Sequence, residues 1–180
     1  MIVSAPTQGH ISSPFGWRQL GDERNLHTGL DFVAWKGAPI RAVLPGKVII
    51  ARQISGYGNA VVVAHADSEL FSLYGHLDEF KTRTGKQVRA GDRIGTMGGT
   101  GWRPDDPART VPVHLHFEFL SHWPPRGKDL DRLNPMEVFS QLGLPFDAEP
   151  KTFAAYGGAR GLDLLALAAQ HLIRPYPWRA

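Results

Sequence analysis

The sequence predicts a mainly β protein made of short strands, with one short helix and a helical C-terminal extension. Three observations predict this class. Apolar and polar residues alternate strictly from Val111 to Phe119, which is typical of a strand with one face in a core. Three segments between residues 47 and 77 are rich in β-branched and aromatic residues, which favours strands. The 180 residues include 20 Gly and 14 Pro, which favours turns over long helices.

The strands are predicted in order along residues 10–120. The segments KVIIARQI (47–54), NAVVVAHA (59–66) and ELFSLYGHL (69–77) are separated by the turn sequences SGYG and ADSE. Glycine is then spaced for tight turns around two very short strands in GKQVRAGDRIGTMGGTG (85–101). A polar, proline-rich loop, GWRPDDPART (101–110), leads into the alternating strand.

Two helices are predicted after that strand. LNPMEVFSQLG (133–143) has Pro in its first turn and Gly just after its end. A linker follows, and ARGLDLLALAAQHLIR (159–174) predicts a longer helix that ends before Pro175. Its apolar stripe favours packing on the domain, whereas the basic, aromatic tail RPYPWRA favours contact with an envelope surface or a partner. We therefore divide the chain into a domain at 1–143 and a linker with helical extension at 144–180.

Composition excludes several classes of protein. The chain has no Cys, so any metal must be held by histidine and carboxylate side chains. Its net charge of +3 comes from scattered basic residues, without the basic block typical of nucleic-acid binding, although mild basicity suits a polyanionic envelope. The first residues, MIVSAPTQGH, do not resemble a secretory signal. No window approaches the roughly 20 apolar residues of a membrane span.

The polar face of the alternating strand carries His114, His116 and Glu118. Taken alone, this pattern also fits a solvent-exposed surface. His27 and Asp31 are four residues apart, and the intervening glycine favours an extended backbone that places both on one face. A solvated histidine and a turn aspartate would give the same spacing.

The combination of these two segments points to a metal site. His27, Asp31 and one histidine of the 114/116 pair would supply three nitrogen and oxygen ligands, which is the number in a catalytic zinc site with its fourth position open. His76, at the end of a predicted strand, and the remaining histidine of the pair would be free for proton transfer. The residues alone leave the choice between His114 and His116 open.

Seven motifs then identify a family resemblance over residues 10–140. In chain order they are ISSPFGWR, HTGLD, GAPIRAVLPGKVIIA, GYGNAVVVAH, LYGHL, GKQVRAGDRIGTMGGTG and HLHFE. With these motifs the chain resembles the zinc metallopeptidases of the lysostaphin/LytM type, which cut peptide bonds in bacterial peptidoglycan. The resemblance implies antiparallel sheets that form a groove, related to barrel-sandwich folds, and Zn²⁺ as cofactor. Residues 145–180 have no counterpart in it.

The resemblance also implies roles for individual residues. It makes His27, Asp31 and His116 the zinc ligands, His114 the acceptor of a proton from water, and His76 a hydrogen-bond donor to the developing oxyanion. Glu118 has two open interpretations, a support for the ligands or a plain surface carboxylate. The other histidines are expected to be structural or exposed: His10, His65, His122 and His171.

Two positions depart from the family pattern. Gly75 stands where the family more often has a small or polar non-glycine residue, which would loosen the loop that holds His76. The segment before His27 lacks a tyrosine that some members place near the oxyanion, which leaves Arg18 or a backbone N–H as a candidate donor.

The function implied is zinc-dependent endopeptidase activity on peptidoglycan peptides, with D-Ala-containing cross-links as the expected bond. Without a signal sequence, a bacteriolytic phage endolysin released from the cytoplasm, a trimmed domain of a secreted enzyme and a tail-tip hydrolase are alternative roles. Two rival functions are also compatible with the sequence. A non-enzymatic carrier or phosphocarrier of barrel-sandwich fold is suggested by VRAGDRIGTMG, and a catalytically inactive activator of another cell-wall hydrolase would have lost site residues that are present here.

Overall fold

The computed structural model describes residues 3–20, 22–65, 69–127 and 130–144. The predicted linker and C-terminal helix lie outside the described residues, so the boundary at 143/144 stays a prediction. The described residues form thirteen strands and one helix: β1 (His10–Ser13), β2 (Gly16–Leu20), β3 (Glu23–His27), β4 (Leu30–Val33), β5 (Pro39–Arg41), β6 (Gly46–Ile54), β7 (Gly58–His65), β8 (Leu70–Gly75), β9 (Leu77–Phe80), β10 (Gln87–Val88), β11 (Arg93–Thr100), β12 (Thr110–Leu120), β13 (Arg132–Leu133) and α1 (Pro135–Gln141).

The strands pair antiparallel throughout. The main sheet runs in the order β1-β4-β12-β8-β7-β6-β10, and β11 branches from β12 to pair with β5 and β9. β2 and β3 form a separate hairpin. β12 is the centre of this arrangement, because it pairs with β4, β8, β11 and β13. Segments far apart in the sequence therefore meet along its eleven residues.

The main core lies on one face of β12. Leu115, Phe117 and Phe119 are fully buried there, as the alternating pattern predicts. Phe139 of α1 stacks on Phe117 with ring centroids 5.3 Å apart and meets Phe119 edge-on at 5.1 Å. The helix begins with Asn134 as N-cap, whose side chain accepts the Met136 N–H at 3.1 Å. Aromatic packing thus fixes the helix against the back of this strand.

The opposite face of β12 is covered along its second half. Val62, Leu73 and Leu120 form a second buried cluster, against which partly buried side chains pack: Ile49, Ile50, Ile54, Tyr57, Phe71 and Trp123. Glu118 lies on this face and is fully buried. Of the two interpretations open for Glu118, the plain surface carboxylate is therefore wrong.

The predicted fold class is confirmed for the described residues, as a mainly β chain of antiparallel strands with one short helix. Two details differ. The second strand within 85–101 is not very short, since β11 spans eight residues and pairs with three neighbours. The segment 69–77 is interrupted at His76, whose φ of 61° lies in the left-handed region and ends β8 before β9 begins.

In the described ranges, no helix combines the length and apolar character that a membrane span requires.

Candidate metal centre

The register between β4 and β12 brings the predicted ligands together. Asp31 of β4 lies directly opposite His116 of β12. His27 ends β3, and the backbone passes through Thr28 and Gly29 into β4. Because Asp31 and His116 are neighbours across a sheet, their side chains point to the same face, and His27 reaches that face from the adjacent turn. All three residues are buried, with at most 9% of each exposed.

The distances between the three ligand atoms match a tetrahedral zinc site. His27 Nε2 lies 3.0 Å from Asp31 Oδ1 and 3.2 Å from His116 Nδ1. His116 Nδ1 lies 2.8 Å from Asp31 Oδ1. Nitrogen and oxygen ligands bound about 2.0–2.1 Å from zinc stand roughly 3.3 Å apart in a tetrahedron. The three atoms therefore fit one face of such a tetrahedron with only small adjustments, and the donor set of two imidazoles and one carboxylate suits zinc.

In each ligand histidine, the ring nitrogen that does not face the metal position makes a hydrogen bond. His27 donates Nδ1–H to the Pro14 carbonyl oxygen at 2.6 Å. His116 donates Nε2–H to Glu118 Oε1 at 3.0 Å. These bonds fix each ring so that its other nitrogen presents a lone pair to the metal position, which is the usual arrangement around bound zinc.

The charge balance of the site also favours a cation. Burial raises the pKa of Asp31, but hydrogen bonds with His116 and His27 outweigh burial and hold the pKa well below its usual range. Burial lowers the pKa of His116, but hydrogen bonds to Asp31 and Glu118 outweigh it and raise the pKa to about 9. The carboxylates thus stabilise positive charge at this point, and a divalent cation binding there would displace the His116 proton.

The two predicted catalytic histidines lie beside this centre. His114 Nε2 is 3.8 Å from Asp31 Oδ1, and the His114 and His76 rings are 4.6 Å apart. His114 donates Nδ1–H to the Pro112 carbonyl oxygen at 2.6 Å, and His76 donates Nδ1–H to that of Thr100 at 2.7 Å. In the neutral ring, Nε2 of each is therefore an acceptor.

His76 is held at its backbone as well as its ring. Its N–H donates to the Tyr57 carbonyl oxygen at 2.7 Å. This bond holds the backbone directly after Gly75, so the glycine does not loosen the loop around His76. Burial lowers the pKa of His76 to about 4. The neutral ring has no proton on Nε2, so His76 donates a hydrogen bond to an oxyanion only after it gains a second proton. The resemblance implies that His76 donates a hydrogen bond to the oxyanion, and this role is therefore limited to the protonated ring.

Arg18 lies next to the metal centre. Its Nη1 is 3.7 Å from Asp31 Oδ2 and donates to Ser13 Oγ. It therefore offsets part of the Asp31 charge. Of the other histidines, His10 and His122 are exposed, His65 is buried against Pro45 and Ser72, and His171 lies outside the described residues.

Sequence reasoning missed the side chains that surround Glu118. Thr28, Tyr57 and Arg132 all contact its carboxylate, so Glu118 is not a surface carboxylate. Thr28 sits inside the HTGLD motif and was detectable as a neighbour of a ligand. Tyr57 and Arg132 carry no local signal, because only the pairing of distant strands brings them to β12.

Comparison with known proteins places the chain in a family. The sequence model described as "Peptidase family M23" matches residues 25–131, which include all five candidate residues. The chain is 36% identical over 147 residues to the DD-carboxypeptidase/endopeptidase Mpg of Neisseria meningitidis, covering 81% of this chain and 30% of that protein. It is 36% identical over 137 residues to the murein hydrolase activator NlpD of Escherichia coli, covering 76% and 31%. The chain thus spans about a third of the length of these relatives.

A solved structure shows the same fold. The catalytic domain of the antimicrobial peptidase lysostaphin from Staphylococcus simulans superposes with a TM-score of 0.62 at 26% identity, covering 73% of this chain and 92% of that domain. The predicted resemblance to lysostaphin-type peptidases is confirmed by this match together with the family match.

Proposed function

The chain belongs to peptidase family M23, and we propose that it is a zinc-dependent endopeptidase that hydrolyses peptide bonds of bacterial peptidoglycan. One observation carries the proposal. His27, Asp31 and His116 bring three ligand atoms within 3.2 Å of one another. The imidazoles of His76 and His114 stand beside them, and the Nε2 atom of each is an acceptor in the neutral ring. A purely structural zinc site closes its coordination with protein ligands, whereas three protein ligands are typical of a catalytic site.

The zinc ion would be held by His27 Nε2, Asp31 Oδ1 and His116 Nδ1. When bound, zinc supplies Lewis acidity, which makes water more acidic and polarises a peptide carbonyl.

His114 is proposed as the proton acceptor. Its Nε2 faces the centre, 3.8 Å from Asp31 Oδ1, and its Nδ1–H bond to Pro112 keeps that nitrogen unprotonated in the neutral ring. As the water oxygen adds to the peptide carbonyl carbon, Nε2 takes the water proton. The same nitrogen then returns the proton to the leaving amine as the C–N bond breaks.

His76 is proposed to stabilise charge beside His114. The two rings lie 4.6 Å apart, which is close enough for one water or substrate atom to contact both. When Nε2 has taken up a proton from solvent, His76 can donate to the oxyanion, an effect worth about 3 kcal/mol per donor in other hydrolases. The backbone bond to Tyr57 and the ring bond to Thr100 fix its position for this role.

The substrate is proposed to be a D-Ala-containing cross-link of the peptide stems. The description of the relative Mpg as a DD-carboxypeptidase/endopeptidase supports this choice of bond. A bacteriolytic endolysin role is one route by which such an enzyme reaches the wall, and a trimmed secreted domain is another.

The similarity to NlpD supports a second candidate, activation of a separate murein hydrolase without hydrolysis by this chain.

Metal content and digestion of sacculi test the proposal together. Purified protein is expected to contain about one zinc per chain and to release muropeptides whose masses identify the cleaved bond. His27→Ala should lose both zinc and hydrolysis, and His114→Ala should keep zinc and lose hydrolysis. His10→Ala, an exposed histidine on β1, is the matched control and should match the wild type.

Two outcomes would overturn the proposal. If His27→Ala and His114→Ala both digest sacculi at the wild-type rate, the site is wrongly assigned. If the wild type binds zinc, leaves sacculi intact and stimulates a separate murein hydrolase, the chain is an activator.

A further inference from the structure

A fully buried carboxylate lies two residues beyond a proposed metal ligand. Glu118 is 0% exposed and lies on the same face of β12 as His116. Burying a carboxylate costs free energy unless hydrogen bonds and an opposite charge compensate. Besides His116 on the same strand, its partners come from three other segments of the chain, at Thr28, Tyr57 and Arg132, and together they compensate the buried charge.

We propose that Glu118 is a positioning residue of the metal centre, an inference that rests on the zinc site proposed above. Its carboxylate holds the His116 ring so that Nδ1, and not Nε2–H, faces Asp31 and His27. Glu118 would not bind the metal itself. It acts through its hydrogen bond with the His116 ring.

The chemistry of a carboxylate explains why this residue type is needed. An ionised carboxylate only accepts hydrogen bonds, and the surroundings of Glu118 suit that form, because the Thr28 and Tyr57 hydroxyls donate to Oε1 and the Arg132 guanidinium lies beside Oε2. His116 must therefore place a proton on Nε2 to satisfy the 3.0 Å contact with Oε1. That proton leaves Nδ1 with its lone pair for a metal. A glutamine amide both donates and accepts, so it would allow the opposite tautomer.

Other side chains hold the carboxylate in place. Thr28 Oγ1 donates to Oε1 at 2.5 Å and Tyr57 Oη donates to the same oxygen at 2.9 Å. Arg132 Nε lies 3.4 Å from Oε2. Arg132 is anchored by a 2.7 Å bond from Nη1 to the Gly127 carbonyl oxygen, and only 9% of its side chain is exposed.

The same network reaches other parts of the site. Thr28 directly follows the ligand His27, so its bond to Glu118 ties the β3–β4 turn to β12. Tyr57 binds Glu118 through its hydroxyl and His76 through its backbone carbonyl, and its ring lies 5.8 Å from that of His116. A substitution of Glu118 therefore affects the positions of the metal ligands more directly than it affects the rest of the fold.

Zinc affinity of Glu118→Gln, measured by competition with a chromogenic chelator, tests the role without relying on hydrolysis. Loss of a group that orients a metal ligand lowers metal affinity by about 10–100-fold, and we expect a loss in this range. Glu79→Gln is the matched control, since Glu79 is largely exposed and pairs with Lys81, and it should bind zinc like the wild type.

A double variant separates positioning from simple support of the fold. Glu118→Gln removes the negative charge that lies 3.4 Å from Arg132 Nε, so it should also lower the unfolding temperature. Glu118→Gln/Arg132→Met removes both charges and should regain much of that stability, while zinc affinity should stay reduced.

The inference is overturned if Glu118→Gln binds zinc as tightly as the wild type, or if zinc affinity recovers along with stability in the double variant. It also falls if the wild type binds no zinc. A wild type that binds zinc without cutting peptidoglycan would refute the proposed function alone.

Discussion

Replacing Gly29 with alanine tests whether close packing of β4 on β12 sets the metal geometry. Gly29 precedes Asp31 by two residues and is buried against β12. A Cβ atom there would lie 2.3 Å from the Phe117 carbonyl oxygen, 3.0 Å from Glu118 Cγ and 3.0 Å from His116 Cε1. The nearest of these atoms belongs to the backbone and cannot rotate away.

The size of the effect follows from these distances. Ordinary contacts between non-bonded heavy atoms are about 3.5 Å, so the two strands must separate by about 1 Å. Distances from a bound metal to its ligand atoms normally lie within about 0.2 Å of their standard values. Asp31 and His116 sit on the two strands that move, so Gly29→Ala should weaken zinc binding and lower hydrolysis on the order of 100-fold. Overpacking should also destabilise the fold by about 1–3 kcal/mol.

Gly75→Ala is the matched control for this prediction. Gly75 lies opposite His116 on β8, but a Cβ there would meet its nearest neighbour, Tyr57 Cδ1, at 3.4 Å, which is an ordinary contact. Chelator competition for zinc, release of muropeptides and thermal unfolding should be measured on both variants. Folded Gly29→Ala with wild-type zinc affinity would refute the reasoning, and so would equal losses in the two variants.

Three further predictions concern stability. Tyr74→Phe should cost about 1–3 kcal/mol in urea unfolding, because the buried Val43 N–H loses its 2.9 Å acceptor; an unchanged midpoint would contradict this. Burial lowers the pKa of His65 from 6.5 to about 4, so its neutral form stabilises the fold fully above pH 6.5 and about 3 kcal/mol is lost as pH falls from 6.5 to 4. The free energy of unfolding of His65→Gln should depend less on pH over this range than that of the wild type. Equal dependence in the two proteins would show that His65 does not cause the loss. Phe139→Ala should cost about 3–5 kcal/mol because it removes the ring stacked on Phe117, and calorimetry showing a loss below 1 kcal/mol would argue against that packing.

Local patterns predicted much of the fold because their physical causes are local. The period of two along residues 111–119 correctly separates the core face of Leu115, Phe117 and Phe119 from the face of His114 and His116. Pro135 and Gly143 correctly bracket α1. The break at His76 was missed, because its left-handed backbone is held by a bond to Tyr57 that no local pattern records.

The burial of Glu118 was also beyond local reasoning. Whether a polar face of a strand meets water depends on which side chains pack over it. Here the cluster around Leu73 and Leu120 packs over the face that carries Glu118. The compensating partners Thr28 and Tyr57 lie 90 and 61 residues away in sequence.

By itself the sequence determined which residue types are available and which of them share a face. Alternation put His114 and His116 side by side, and the His27–Asp31 spacing predicted a second pair of donors. The tertiary structure decided that His116 stands opposite Asp31, while His114 pairs across to Gly98 of β11. The reason is physical: side-chain alternation is set by neighbouring peptide units, whereas strand register depends on packing between segments 85 residues apart.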